Sequence, residues 1–180
     1  DEWPKTKWKI CPDCQKKIKE LGLVKTGKSS AEDLLQTYVL TRAQAILCKY
    51  NKTVIGWDEL LEGNPAKDAV IMSWRGNQGG IEGTSRGHRC IMTASKQGMY
   101  IDYPQGDIKV EPVASAHYNP LSHTYAYNPI PDEVAAAGNQ DLILGCQCNT
   151  WSEYMYTEAL AEYYIYPRSL AVAETAWCKY

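Results

Sequence analysis

The chain has 180 residues, 44% of them hydrophobic and 22% charged, a balance that supports a packed core and excludes a disordered chain. The formal net charge of −2 argues against a general nucleic-acid binder. No stretch approaches the roughly 18 apolar residues of a membrane span.

Asp1 and Glu2 open the sequence without a Met and without a signal-peptide pattern behind them, so the sequence is expected to be a processed chain or a piece of a longer one. Residues 1–28 carry eight Lys against four acids, which reads as a solvated face. Residues 10–22 predict a short helix, with Ile10, Cys14, Ile18 and Leu21 on one face and Gly22 at its end. Cys11-x-x-Cys14 sits at the start of that helix. It is half of a tetrahedral zinc site at most, and no strand leads into it as in a thioredoxin-like motif. A thiol pair or a local disulfide is the better reading, and the odd total of seven Cys means that not all can pair within one chain. Past a turn at 25–30, Ser30 is placed to cap a helix running to about Tyr50, with Asp33 in the capping-box position usually held by Glu. Leu34, Leu35, Tyr38, Val39, Ala45, Ile46 and Leu47 form its apolar side.

The pattern then changes. Residues 53–57 (TVIGW), 69–74 (AVIMSW), 89–93 (RCIMT) and 142–146 (LILGC) are short, nearly continuous apolar runs, as expected of strands buried on both faces of a parallel sheet. Helical or turn segments at 59–66 and 78–87 separate the first three, giving consecutive βα units. The glycines at 76, 79, 80 and 83 do not make a phosphate-binding fingerprint. The segment 95–141 is rich in Pro, Gly and Tyr without periodicity, and a connection of that length is usually functional or disordered. Helices are predicted over 153–165 and 168–179, with Pro167 between them.

Polar and aromatic residues gather at the C-terminal ends of the predicted strands: Trp57-Asp58-Glu59, Trp74-Arg75, Tyr100-Ile101-Asp102 and Trp151-Ser152-Glu153. This is the end at which α/β barrels build their sites. Trp at three of these ends, two with an acid within two residues, suits a pyranose: sugar C–H faces stack on rings, and carboxylates accept bonds from hydroxyls. The 13 Tyr and 6 Trp against no Phe agree with an amphipathic ligand, although nothing in the sequence explains the missing Phe.

Read together and in order, these segments resemble the catalytic barrel of family 20 glycoside hydrolases, the β-N-acetylhexosaminidases. The matching segments are Asp1-Glu2, Ile55-Gly56-Trp57-Asp58-Glu59, Val70-Ile71-Met72-Ser73-Trp74-Arg75, Tyr100-Ile101-Asp102, Trp151-Ser152-Glu153, and Pro167-Arg168 followed by Ala171, Ala173, Glu174 and Trp177. In that family an Asp-Glu pair ends the fourth barrel strand. The resemblance therefore implies an α/β fold, the second half of a (β/α)8 TIM barrel: residues 1–180 would be βα units 5–8, starting at the tip of strand 4, an incomplete domain. It also implies a retaining, substrate-assisted hydrolysis of terminal β-linked N-acetylglucosamine or N-acetylgalactosamine, with no cofactor and no metal. By the same resemblance Glu2 is the acid that protonates the leaving group. Asp1 orients the substrate's acetamido group, and its charge should raise the pKa of Glu2. Tyr100 donates to the acetamido oxygen, Trp57, Trp74 and Trp151 wall the sugar, and Asp102 and Glu153 accept its hydroxyls. Asp58, Glu59 and Arg75 are expected to support rather than touch substrate. The segment 95–141 holds no Trp to match a further aromatic that the family supplies from its long loop. An Arg gripping the terminal sugar and a His supporting the acid would belong to the first half of the barrel.

The expected partner is a glycan ending in N-acetylhexosamine, met in the periplasm or outside the cell. The chain alone is expected to be nearly inactive and to self-associate through open strand edges. The competing readings are a non-catalytic carbohydrate-binding or scaffold protein with the same aromatic pocket, a disaccharide-releasing relative, and a zinc or thiol module centred on Cys11 and Cys14.

Overall fold

The structure is a computed structural model and describes residues 5–27, 29–115 and 117–178. Asp1 and Glu2, both named as catalytic candidates, lie outside the described residues.

The first helical stretch is two helices rather than one, α1 (Lys5–Ile10) and α2 (Pro12–Glu20). Pro12 is the reason: its missing N–H and fixed φ suit a helix's first turn but not its interior, so a new helix starts there behind an extended Cys11. Gly22, at φ +62°, ends α2. Its amide donates to the Lys19 carbonyl (3.1 Å) and that of Leu23 to the Ile18 carbonyl (3.0 Å), the paired bonds of a Schellman cap. α3 spans Ala31–Cys48. Its capping box forms as the spacing predicts: the Asp33 amide donates to Ser30 Oγ (3.1 Å) and the Ser30 amide to Asp33 Oδ2 (2.8 Å). The expected apolar side of α3 is only partly covered, since Leu35 is buried whereas Val39 and Ile46 are exposed.

Four strands follow: β1 (Ile55–Trp57), β2 (Val70–Ser73), β3 (Cys90–Met92) and β4 (Ile143–Cys146). They pair in parallel in the order β1-β2-β3-β4, so chain neighbours are sheet neighbours, as in a barrel wall. A 3-10 turn (Asp58–Glu62) lies between β1 and β2, and α4 (Gln78–Ser85) between β2 and β3. The α4 glycines serve packing. A Cβ at Gly83 would stand 2.6 Å from Cys90 Sγ, and one at Gly79 2.5 Å from Asp58 Oδ2, so only glycine lets this helix lie so close to the sheet. The core has two parts: Leu60, Leu61, Ile71 and Cys90 under the first strands, and Met92, Ala94, Met99, Tyr127 and Val172 under the last.

The long connection after β3 contains two five-residue helices, α5 (Leu121–Tyr125) and α6 (Asp132–Ala136), each too short to leave a readable period. α7 (Glu158–Ile165) and α8 (Arg168–Trp177) close the described chain. α5 packs on α8, with the Tyr125 hydroxyl donating to Glu174 Oε1 (3.1 Å).

Candidate active site

Each strand end delivers one aromatic ring to a common cluster. Trp57, the last residue of β1, meets Trp74, just past β2, edge to face with centroids 6.5 Å apart. Trp74 lies nearly parallel to Tyr100, beyond β3, at 6.3 Å and 19°. Tyr100 meets Trp151, beyond β4, at 5.9 Å, and Trp151 returns to Trp57 at 6.1 Å. The four rings close a loop at the C-terminal face of the sheet. They give flat apolar walls there, the surface on which a sugar's C–H face stacks.

The walls are fixed from behind. Both carboxylate oxygens of Glu59 accept from Trp74 Nε1, at 3.0 and 2.9 Å, which sets the indole plane. Asp58 is 2% exposed. It accepts the amides of Trp74 (3.1 Å) and Arg75 (3.3 Å) through Oδ2 and Arg75 Nε (2.6 Å) through Oδ1. Arg75 also donates to Glu62 Oε1 at 2.8 Å. Burial pushes the Asp58 carboxyl up, and Arg75 pulls it back. Asp58, Glu59 and Arg75 thus hold the β1 and β2 ends together.

Tyr100 and Asp102 share the turn after β3. Burial pushes the Tyr100 hydroxyl up to about 12, against the pull of Asn149 and Trp151 side chains beside it, so at neutral pH it is a hydrogen-bond donor. Asp102 is 3% exposed, and its Oδ1 has no hydrogen-bond partner among the described residues. Burial pushes its carboxyl up to about 6. The Asp102 and Trp151 amides and the Arg168 charge oppose this rise, and Glu153 adds to it. A buried acceptor with an open lone pair is costly unless something fills it, which is what a ligand hydroxyl would do. Glu153 is exposed and belongs to the group through its charge on Asp102.

Two supports were not recognised from the sequence. Arg168, fully buried, donates through Nη1 to the carbonyls of Tyr103 (2.8 Å) and Asn119 (2.9 Å), and through Nη2 to those of Ile101 (2.5 Å) and Tyr164 (2.9 Å). Asn119, 1% exposed, donates Nδ2 to the carbonyls of Gly98 (3.1 Å) and Tyr100 (3.0 Å). Together they fix the backbone that carries Tyr100 and Asp102. The available signals were the Pro-Arg at the start of α8 and the Asn-Pro at 119, neither of which names a role. The ring chain also runs outward through Tyr103, 5.9 Å from Tyr100, to exposed His117 at 5.3 Å. Among the described residues no three His, Cys, Asp or Glu side chains gather as a metal site.

Parallel strands in consecutive order, with rings and carboxylates beyond their C-terminal ends, are the arrangement of α/β-barrel domains that build their sites at that face. The family model for the glycosyl hydrolase family 20 catalytic domain matches residues 1–180, and the chain belongs to that family. It is 47% identical over 177 residues to a β-hexosaminidase of Porphyromonas gingivalis, covering 98% of this chain and 22% of that protein. It is 32% identical over 175 residues to a β-hexosaminidase of Vibrio furnissii, covering 96% and 28%. Among solved structures it resembles the family 20 exo-β-N-acetylglucosaminidase of Vibrio harveyi in complex with N-acetylglucosamine, with a TM-score of 0.86 and 30% identity over 99% of this chain and 27% of that one. The chain spans about a quarter of the length of these relatives.

Proposed function

We propose that the protein carrying this chain is a retaining, substrate-assisted β-N-acetylhexosaminidase that removes terminal β-linked N-acetylglucosamine or N-acetylgalactosamine from glycans in the periplasm or outside the cell. Residues 1–180 supply βα units 5–8 of its barrel. The observation that carries the reading is the closed ring of Trp57, Trp74, Tyr100 and Trp151, one from each strand end. The names of the relatives point the same way.

In this reaction the substrate's 2-acetamido oxygen attacks its own anomeric carbon, so the enzyme needs no nucleophile of its own. Glu2 protonates the departing oxygen and then takes a proton from the attacking water. Asp1 accepts from the acetamido N–H and stabilises the charge that develops. Tyr100 donates its hydroxyl to the acetamido oxygen and so holds it at the anomeric carbon. The three Trp rings wall the sugar and exclude water, while Asp102 and Glu153 accept its hydroxyls. The remaining strands complete the pocket, so the 180-residue chain by itself is nearly inactive, and its open edges at β1 and β4 drive self-association.

The test uses the full-length protein with an aryl N-acetyl-β-glucosaminide. Glu2→Gln should lower kcat at least about 10²-fold, the usual contribution of a positioned acid, and leave binding of N-acetylglucosamine intact. An unchanged rate overturns the assignment. Sugar binding without turnover by the unaltered protein would instead support a carbohydrate-binding scaffold, and a disaccharide product would move it to the disaccharide-releasing relatives.

A further inference from the structure

Away from the aromatic cluster, the start of α2 carries two free, partly exposed thiols, Cys11 and Cys14. Cys11 is the N-cap, with extended backbone at φ −75° and ψ 117°, and Cys14 is the third helical residue. The two stand three positions apart at the helix start, and Cys11 makes no side-chain capping hydrogen bond. Residues so spaced have Cβ atoms roughly 5–6 Å apart, a small closing movement from the 3.5–4.5 Å that a disulfide spans. The backbone around Cys11 is held on both sides: its amide donates to the Lys7 carbonyl (2.9 Å), and its carbonyl accepts from the Gln15 amide (3.0 Å). The Gln15 side chain ties α1 and α2 to α3 through the Trp8 carbonyl (2.9 Å) and Glu32 Oε1 (3.2 Å). The helix N-terminus favours a thiolate, whereas the charge of Asp13, between the two cysteines, opposes one at both.

We propose that Cys11 and Cys14 are a thiol–disulfide exchange site for low-molecular-weight disulfides, with Cys11 as the attacking sulfur and Cys14 as the resolving one. The amide and thiol of Cys14 hold the Cys11 thiol below its usual range, whereas Cys11 beside it pushes Cys14 up, which matches these unequal roles. Cys11 loses its proton to solvent and attacks one sulfur of oxidised glutathione, forming a mixed disulfide and releasing one glutathione thiolate. Cys14 then loses its proton and attacks the Cys11 sulfur, which expels the second thiolate and leaves a Cys11–Cys14 bond. Two protein thiols are oxidised and one small disulfide is reduced to two thiols. By contrast, burial pushes the thiols of Cys90, Cys146 and Cys148 up, away from reactivity.

The test takes the reduced, folded full-length protein through a series of oxidised-to-reduced glutathione ratios, followed by acid quench, alkylation and trypsin. Cleavage after Lys9 and Lys16 releases a peptide, 10–16, that holds both cysteines and no other. Expected is loss of two hydrogens from this peptide at ratios that leave Cys48 and Cys178 unpaired, with Cys14→Ser stopping at glutathione on Cys11. In the unaltered protein, limiting iodoacetamide at neutral pH should alkylate Cys11 several-fold faster than Cys14, a readout that needs no variant to fold. Equal alkylation rates, or a 10–16 peptide that stays dithiol throughout the series, would overturn the proposal.

Discussion

Trp57 and Trp151 stand 6.1 Å apart, centroid to centroid, although Trp57 ends one outermost strand of the sheet and Trp151 follows the other. Three strand spacings of about 4.8 Å would put their strands some 14 Å apart in a flat sheet. The chain beyond β4 turns back across the sheet end: Asn149 bridges Tyr100, its amide donates to the Met99 carbonyl (2.8 Å), and this carries Trp151 toward Trp57. The contact should be measurable as a coupling. A double-mutant cycle of Trp57→Ala and Trp151→Ala, read by urea denaturation of the full-length protein, is expected to give about 0.5–1.5 kcal/mol. Strict additivity would mean that the rings do not interact.

Asp102 should make stability fall as pH rises through the weakly acidic range. Burial lifts its carboxyl from 3.8 to about 6 in the folded chain. Between those values the folded protein keeps a proton that the unfolded chain has released, so the native state is favoured at the acidic end and loses that advantage by about pH 6. Asp102→Asn removes the effect. The melting temperature of the variant relative to the unaltered protein should rise from pH 4 to pH 6 and then level off. A difference that stays constant from pH 4 to pH 8 would refute the assignment. Sugar binding should move the opposite way, strengthening as Asp102 ionises and can accept a hydroxyl with both oxygens.

What was legible in the sequence, and what was not, follows from the range of the interactions. The four strands were readable because burial on both faces leaves uninterrupted apolar runs, and the structure trims each by only one or two residues. The Ser30 cap was readable because its partner Asp33 is three residues away. The split at Pro12 was missed because the helical spacing of Ile10, Cys14 and Ile18 continues across it. The rings at the strand ends were visible as residue types, but their mutual contact depends on the pairing of Asn149 with Tyr100, residues far apart in the chain. Arg168 was opaque for a different reason: all four of its acceptors are main-chain carbonyls, and carbonyls carry no sequence signature.

That makes Arg168 a sharp test of how the site is held. Lysine keeps the charge but has a point-like ammonium with three donors, and it cannot reproduce a planar fork that serves four carbonyls. Arg168→Lys should destabilise the protein by about 1–3 kcal/mol for each buried carbonyl left without a donor. Since Ile101 and Tyr103 flank Asp102, the same variant should also weaken sugar binding. Urea denaturation and sugar titration check the two effects, and a variant with unaltered stability would show that the clamp is dispensable.

Tyr100 separates chemistry from packing at a single atom. Its ring contacts Trp74, Tyr103 and Trp151, and Phe would keep all three. Tyr100→Phe loses only the hydroxyl's interactions with the Asn149 and Trp151 side chains, so it should cost no more than about 0.5–1.5 kcal/mol of stability for each. In the proposed reaction, however, the hydroxyl is the donor that aims the acetamido oxygen at the anomeric carbon, and positive charge spreads over that group as the leaving group departs. Loss of one such preorganised donor costs about 10²–10³ in kcat in comparable sites. With the hydroxyl pushed up to about 12, it remains a donor throughout the working pH range, so no alkaline limb below that value should belong to Tyr100. Steady-state kinetics of the full-length variant decide the matter. A large fall in kcat with no larger loss of stability supports the role, whereas full activity with Phe would leave Tyr100 as a wall and nothing more.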